Sequence, residues 1–92
     1  NETALDLAVV VALASGYLDF VVDAGTIVIG EVGLSGEVRS VHLMEKRVNE
    51  AKKMGFSRCI VPEGSMGALK NISGIVIESA VNVQEAINKV RN

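Results

Sequence analysis

Ninety-two residues with a net charge of -2 are enough for one small domain with a single core and too few for two. Hydrophobic residues make up 49% of the chain, carried by Val, Ile, Leu and Ala, while aromatics are 3% and Trp is absent. That composition removes the stacking platforms on which single-stranded nucleic acids are usually bound.

The first predicted element is a helix from Glu2 to about Tyr17, "ETALDLAVVVALASGY", in which Asp6 is the only charge between Thr3 and Leu18. Apolar residues surround it completely, so it is expected to be the buried central helix. Its place at the first residues implies a fragment whose upstream strands are missing. Its longest apolar run, Leu7 to Ala14, is far shorter than the roughly 20 residues that span a bilayer, and no basic segment precedes it. No membrane association and a cytoplasmic location are expected.

"GTIVIGEV", Gly25 to Val32, reads as a β-branched strand, "GLSG" as a turn and "EVRSV" as a second, half-buried strand. A phosphate-cradling loop needs a helix N-terminus directly after its glycines. Here a strand follows, so "GEVGLSGEVRSV" is expected to be a β-hairpin.

"HLMEKRVNEAKKMGF" places Met44, Val48 and Ala51 on one helical face, with Lys52 and Lys53 in the last turn and Gly55 as the stop. Met54 and Leu43 fall on the edge of that apolar arc. Arg47, roughly 60° from Met44 at 100° per residue, breaks the apolar pattern. Either its stem runs along the edge of the core, or it points into a cleft toward a specific partner, for which Glu2 and Asp6 are candidates.

Further on, "SRCIVP" is a strand, "EGSMGALKN" a turn or partial helix, "GIVIES" another strand, and "NVQEAINKVR" a helix capped by Asn82 with Glu85 three residues on. The order α-β-β-α-β-(α)-β-α implies an α/β class, an α+β two-layer sandwich with parallel pairing among the later strands. No linker or repeat divides it, so residues 1–92 are expected to form a single domain.

Chemistry-bearing residues are sparse. Cys59 lies in an apolar strand and reads as a buried structural thiol in a reducing compartment. With His42 the only histidine, no zinc-ligand cluster forms. Ser15, Ser35 and Ser40 stand in no nucleophile motif beside it. The charge is uneven: Arg39 to Arg58 holds six basic residues against two acidic ones. Arg39, Lys46, Lys52 and Lys53 are therefore candidate DNA contacts through phosphates, the alternative being a solvated helix face with Glu45 and Glu50 as neighbours.

"LDLAVVVALAS", "GEVGLSGEVRSV" and "EKRVNEAKKMGFSRCIVPEG" together resemble the C-terminal Lon-protease-like domain of the RadA (Sms) family of bacterial DNA-repair proteins, over nearly the whole chain. The resemblance implies the fold shared by Lon proteolytic domains and ribosomal-protein-like domains, with further strands upstream of the long helix. In Lon proteases a serine in a Gly-Pro-Ser-Ala-Gly turn and a lysine after the hairpin form the catalytic dyad. The resemblance carries those positions onto Ala4 and Arg47. Alanine has no nucleophile, and a guanidinium remains protonated and cannot serve as general base. Lys46 lies about 100° away on the exposed arc and does not restore the lysine role.

What the resemblance implies is a non-catalytic scaffold of a DNA-dependent ATPase that forms hexamers around DNA and drives branch migration. ATP and Mg would belong to that family's ATPase core, and Zn to its zinc finger. No cofactor is expected in this segment. Two other readings are an active Ser/Lys peptidase, disfavoured by Ala4 and Arg47, and the Lon-like domain of a magnesium-chelatase-like competence protein. The latter would carry a "GELxLxGxLRPV" hairpin, whereas here valine follows both glutamates.

Overall fold

The computed structural model describes residues 4–91. Strand β1 (Leu5–Asp6) leads directly into helix α1 (Leu7–Leu18), so the helix begins later than the expected start at Glu2. The reason is local. Asp6 is extended, and its carboxylate accepts from the amides of Ala8 at 2.8 Å and Val9 at 3.3 Å, two donors that a helix start otherwise leaves unpaired. The expected helical residues Glu2 and Thr3 lie outside the described residues.

The single strand expected over Gly25 to Val32 is two strands in two different sheets. β2 (Thr26–Val28) pairs in parallel with β5 (Arg58–Pro62), which pairs in parallel with β6 (Val76–Ala80). β3 (Glu31–Val32) lies between β1 and β4 (Val38–Arg39), antiparallel to both. The chain changes sheets at Ile29 and Gly30: the Ile29 amide still donates to Ile60, at 2.9 Å, while the Gly30 carbonyl accepts from Leu7, also at 2.9 Å. The hairpin is present, turning where Gly36 adopts φ +84° and its amide donates to the Gly33 carbonyl. Parallel pairing of the later strands is as expected.

Helix α2 (Met44–Lys53) ends as its sequence implies, with Gly55 left-handed at φ +100°. Its start is unusual: Leu43, a bulky residue, is left-handed at φ +61° and provides no side-chain cap. A 3-10 segment (Glu63–Leu69) follows β5, and helix α3 (Val83–Val90) closes the fold. Asn82 Oδ1 accepts from the Glu85 amide at 2.8 Å, and Glu85 Oε1 accepts from Val81 at 2.8 Å, a capping box displaced by one residue.

The mixed α/β class holds, but the parallel sheet is covered on both faces, giving three layers instead of the expected two. Ile60 of β5 packs in a cluster with Leu7, Val11, Phe20, Ile87 and Val90. Its neighbours Cys59 and Val61 point the other way, to Met44, Val48, Ala51, Leu69 and Ile75. A salt bridge spans two strands of the sheet, Arg58 donating to Glu78 Oε1 from Nη2 at 2.6 Å and Nε at 3.0 Å. No helix among the described residues is long and apolar enough to cross a membrane.

The largest departure concerns α1. Only Leu7 and Val11 of this helix are buried. Val9 is 54% exposed, Leu13 70% and Tyr17 89%, so the element expected at the centre of the fold carries a bare apolar face.

Candidate functional site

Two depressions flank α2. The first, a cleft of about 270 Å³, lies between β2 and α2 and reaches the start of α1; Asp6, Ala8, Ile29, Arg47, Glu50 and Met54 are among its lining residues. Arg47 is thus exposed at a cleft rim, not inserted in the core. Its helical direction follows from the seam of Met44, Val48 and Ala51, all buried, while Met54 (74% exposed) and Leu43 (54%) fall outside that seam, contrary to the expected arc.

Arg47 has a definite partner, and it is a backbone group. Its Nε donates to the His42 carbonyl at 2.8 Å, and its own amide donates to Leu43 at 3.0 Å. These two bonds brace the tight entry into α2 where Leu43 provides no cap. Of the carboxylates expected to pair with it, Asp6 is engaged as the α1 cap and Glu2 lies outside the described residues. Ala4 is half-buried just ahead of β1 and is not among the residues lining the cleft. Of the two positions carried over by resemblance, only Arg47 lines the cleft.

The second depression is an open groove of about 620 Å³ between α2 and the 3-10 segment, lined by Lys46, Asn49, Lys53 and Ala68 together with Glu45 and Glu50. Of the four candidate DNA contacts, it gathers only Lys46 and Lys53. Lys52 projects to another side of the helix, where its Cε lies 2.8 Å from the position a Cβ would take at Gly74. Arg39 is half-buried on β4, with Glu31 directly opposite in register. The basic segment is continuous in sequence and divided in space, because Arg39 sits on a strand and Lys52 about 100° from Lys53 around the helix.

Cys59, Ser15 and Ser40 have structural surroundings. Burial pushes the Cys59 thiol up from 9.0 to about 11, which keeps it protonated and unreactive at neutral pH. Ser15 Oγ donates to the Phe20 carbonyl at 2.8 Å, and the Ser40 and Ser65 hydroxyls bond each other. Among the described residues, no three His, Cys, Asp or Glu side chains group to hold a metal ion. Sequence reasoning missed the left-handed Leu43 and its bracing by Arg47, for which no residue-type signal exists.

Comparisons with known proteins agree with the resemblance. Residues 1–65 match the family model described as subunit ChlI of Mg-chelatase. The chain is 40% identical to the DNA repair protein RadA of Streptococcus pneumoniae over 90 residues, covering 98% of this chain and 21% of that protein. It is 42% identical to the DNA repair protein RadA of Bacillus subtilis over 87 residues, or 95% and 19%. Against the Synechocystis protein of the same name it is 47% identical over 67 residues, or 73% and 13%. The chain spans about a fifth of the length of the first two of these curated relatives. It belongs to the family described as subunit ChlI of Mg-chelatase, as a domain of the RadA type.

Proposed function

We propose that this domain is a non-catalytic, Lon-like scaffold of a RadA-type DNA-repair protein, supporting a hexameric ring and contacting DNA through Lys46 and Lys53. The observation that carries the non-catalytic reading is the use of Arg47. At the position that the resemblance assigns to a catalytic lysine stands a guanidinium that cannot lose its proton, bonded at 2.8 Å to a main-chain carbonyl. Ala4, at the nucleophile position, has nothing to activate. The cleft is thereby turned from a reaction site into a braced corner of the scaffold.

DNA contact is supported by two lysines on the rim of one exposed groove. Glu45 and Glu50 on the same rim limit the attraction, so the contact is weak and non-specific, in the range of about 10⁻⁴ to 10⁻⁶ M, and falls with salt through counterion release. In this reading ATP, its Mg ion and a zinc ion are bound outside the 92 residues, and the protein works in the cytoplasm.

The test is a salt titration of DNA binding by the full-length protein and its Lys46→Glu/Lys53→Glu variant. Loss of affinity at low salt, with a slope of log K against log salt shallower by about 2, is the expected result. Identical slopes and affinities in both proteins would remove DNA from this domain's role and leave it as an assembly module.

A further inference from the structure

The parallel sheet ends at β6, and the main chain of that strand is arranged to receive another. The Val76 amide donates to the Ser57 carbonyl at 3.0 Å, and Val76 stands opposite Arg58 in the parallel register. This turns the main-chain groups of Val76, Glu78 and Ala80 toward β5 and those of Ile77 and Ser79 away from it. Among the described residues no strand lies beyond β6. The outward carbonyl of Ser79 is met instead by the ammonium of Lys89, which reaches it from α3.

Beside this edge, on the face toward α2, lies an open apolar depression of about 290 Å³, lined by Met66, Leu69, Ile72, Ile75 and Ile77 with Lys70 at its rim. Lysines frame the edge along its length. Lys52 extends over Gly74, just ahead of β6, with its Nζ 3.1 Å from the position a Cβ would take there. Lys70 is exposed at the depression, and Lys89 stands at the far end on the opposite face of the sheet. Glu78 on the strand and Glu85 beyond its end are already engaged, by Arg58 and by the Val81 amide.

These features discriminate between occupants. A second copy adding its own β6 to this edge, parallel or antiparallel, brings lysines against lysines. A nucleic acid satisfies the ammonium groups but leaves the apolar depression and the main-chain groups of Ile77 without a match. An extended peptide uses all three: its main chain continues the ladder, alternate apolar side chains enter the depression, and the intervening side chains face Lys89.

We propose that the outer edge of β6 is a docking site for an extended acidic segment of a partner protein, in which aliphatic residues alternate with aspartate or glutamate. The incoming amide takes the Ser79 carbonyl, and Lys89 moves from that carbonyl to the neighbouring carboxylate. The site lies apart from the groove of Lys46 and Lys53 and does not depend on DNA contact.

The test is a titration of a fluorescein-labelled peptide alternating valine with glutamate against the full-length protein, followed by anisotropy. Saturable binding is expected, weakened about fivefold by Lys70→Glu and by Lys89→Gln, and unchanged by Lys46→Glu/Lys53→Glu. Lys70 is on the surface, so its substitution keeps the test valid if the Lys89 variant does not fold. A peptide with lysine in place of glutamate, and one with a central proline that cannot complete the ladder, are each expected to bind about tenfold more weakly. Equal binding of the three peptides, or no saturation up to about 1 mM, would overturn the proposal. Displacement of the peptide by single-stranded DNA would assign the lysines to phosphates, and dissociation of the protein's own assembly by the peptide would assign the edge to a second copy; either would overturn it equally.

Discussion

Helices α1 and α2 invert the usual relation between composition and burial. α1 is apolar throughout and buries two residues; α2 is mostly charged and buries three in a clean seam against β5. What decides burial is whether a partner surface stands opposite each face. α2 has one face to fill and one sheet to fill it. α1 is shared among β3, α3 and the sheet on one side only, and its outer side has no partner among the described residues.

The sharpest way to break this comparison is to truncate two leucines of the same helix. Leu7 is fully buried and Leu13 is 70% exposed. Leu7→Ala is expected to cost about 2–5 kcal/mol in denaturant unfolding. A cost for Leu13→Ala within about 0.5 kcal/mol in the 92-residue chain would confirm that its face is bare there. A large loss at Leu13 would mean that it is packed, and the contrast would fail.

On the α2 side, Cys59 offers a smaller effect with a defined pH sign. Its thiol ionises near 9.0 when unfolded and near 11 when folded, so the folded chain holds a proton that the unfolded chain has lost between those values. Stability from this group is complete below pH 9 and declines as pH rises toward 11, by on the order of 2–3 kcal/mol. The unfolding free energy of the wild type should fall more steeply over that window than that of Cys59→Ala; parallel curves would refute the assignment.

The smallest expected effects come from the caps. Asp6→Ala and Asn82→Ala should each lower stability by about 1 kcal/mol, since each leaves helix amides without a side-chain acceptor. If α1 starts at Glu2, as its apolar pattern suggests, Asp6→Ala should instead be neutral or stabilising, which thermal melts of the variant distinguish.

Features written in local pattern were legible. The seam of Met44, Val48 and Ala51, the stop at Gly55, the hairpin and the Asn82 cap depend on residues a few positions apart, and each reads correctly. Apolar spacing alone does not locate the start of α1; the local signal that does is the capping carboxylate of Asp6. The break at Ile29 and Gly30 had no local signal, since both residues fit a strand and only the pull of two different sheets separates them. The four candidate cations illustrate the same limit: proximity along the chain placed them in one patch, and the helical turn with a strand boundary divided them.

The amino-acid sequence by itself determined the class of fold, the parallel pairing of the later strands and the buried thiol, because these follow from side-chain type and short-range periodicity. Only the tertiary structure decided which apolar face is covered, which lysines share a groove and what Arg47 holds. Those are properties of distant segments brought together, and a hydrophobic pattern states the need for a partner without naming it.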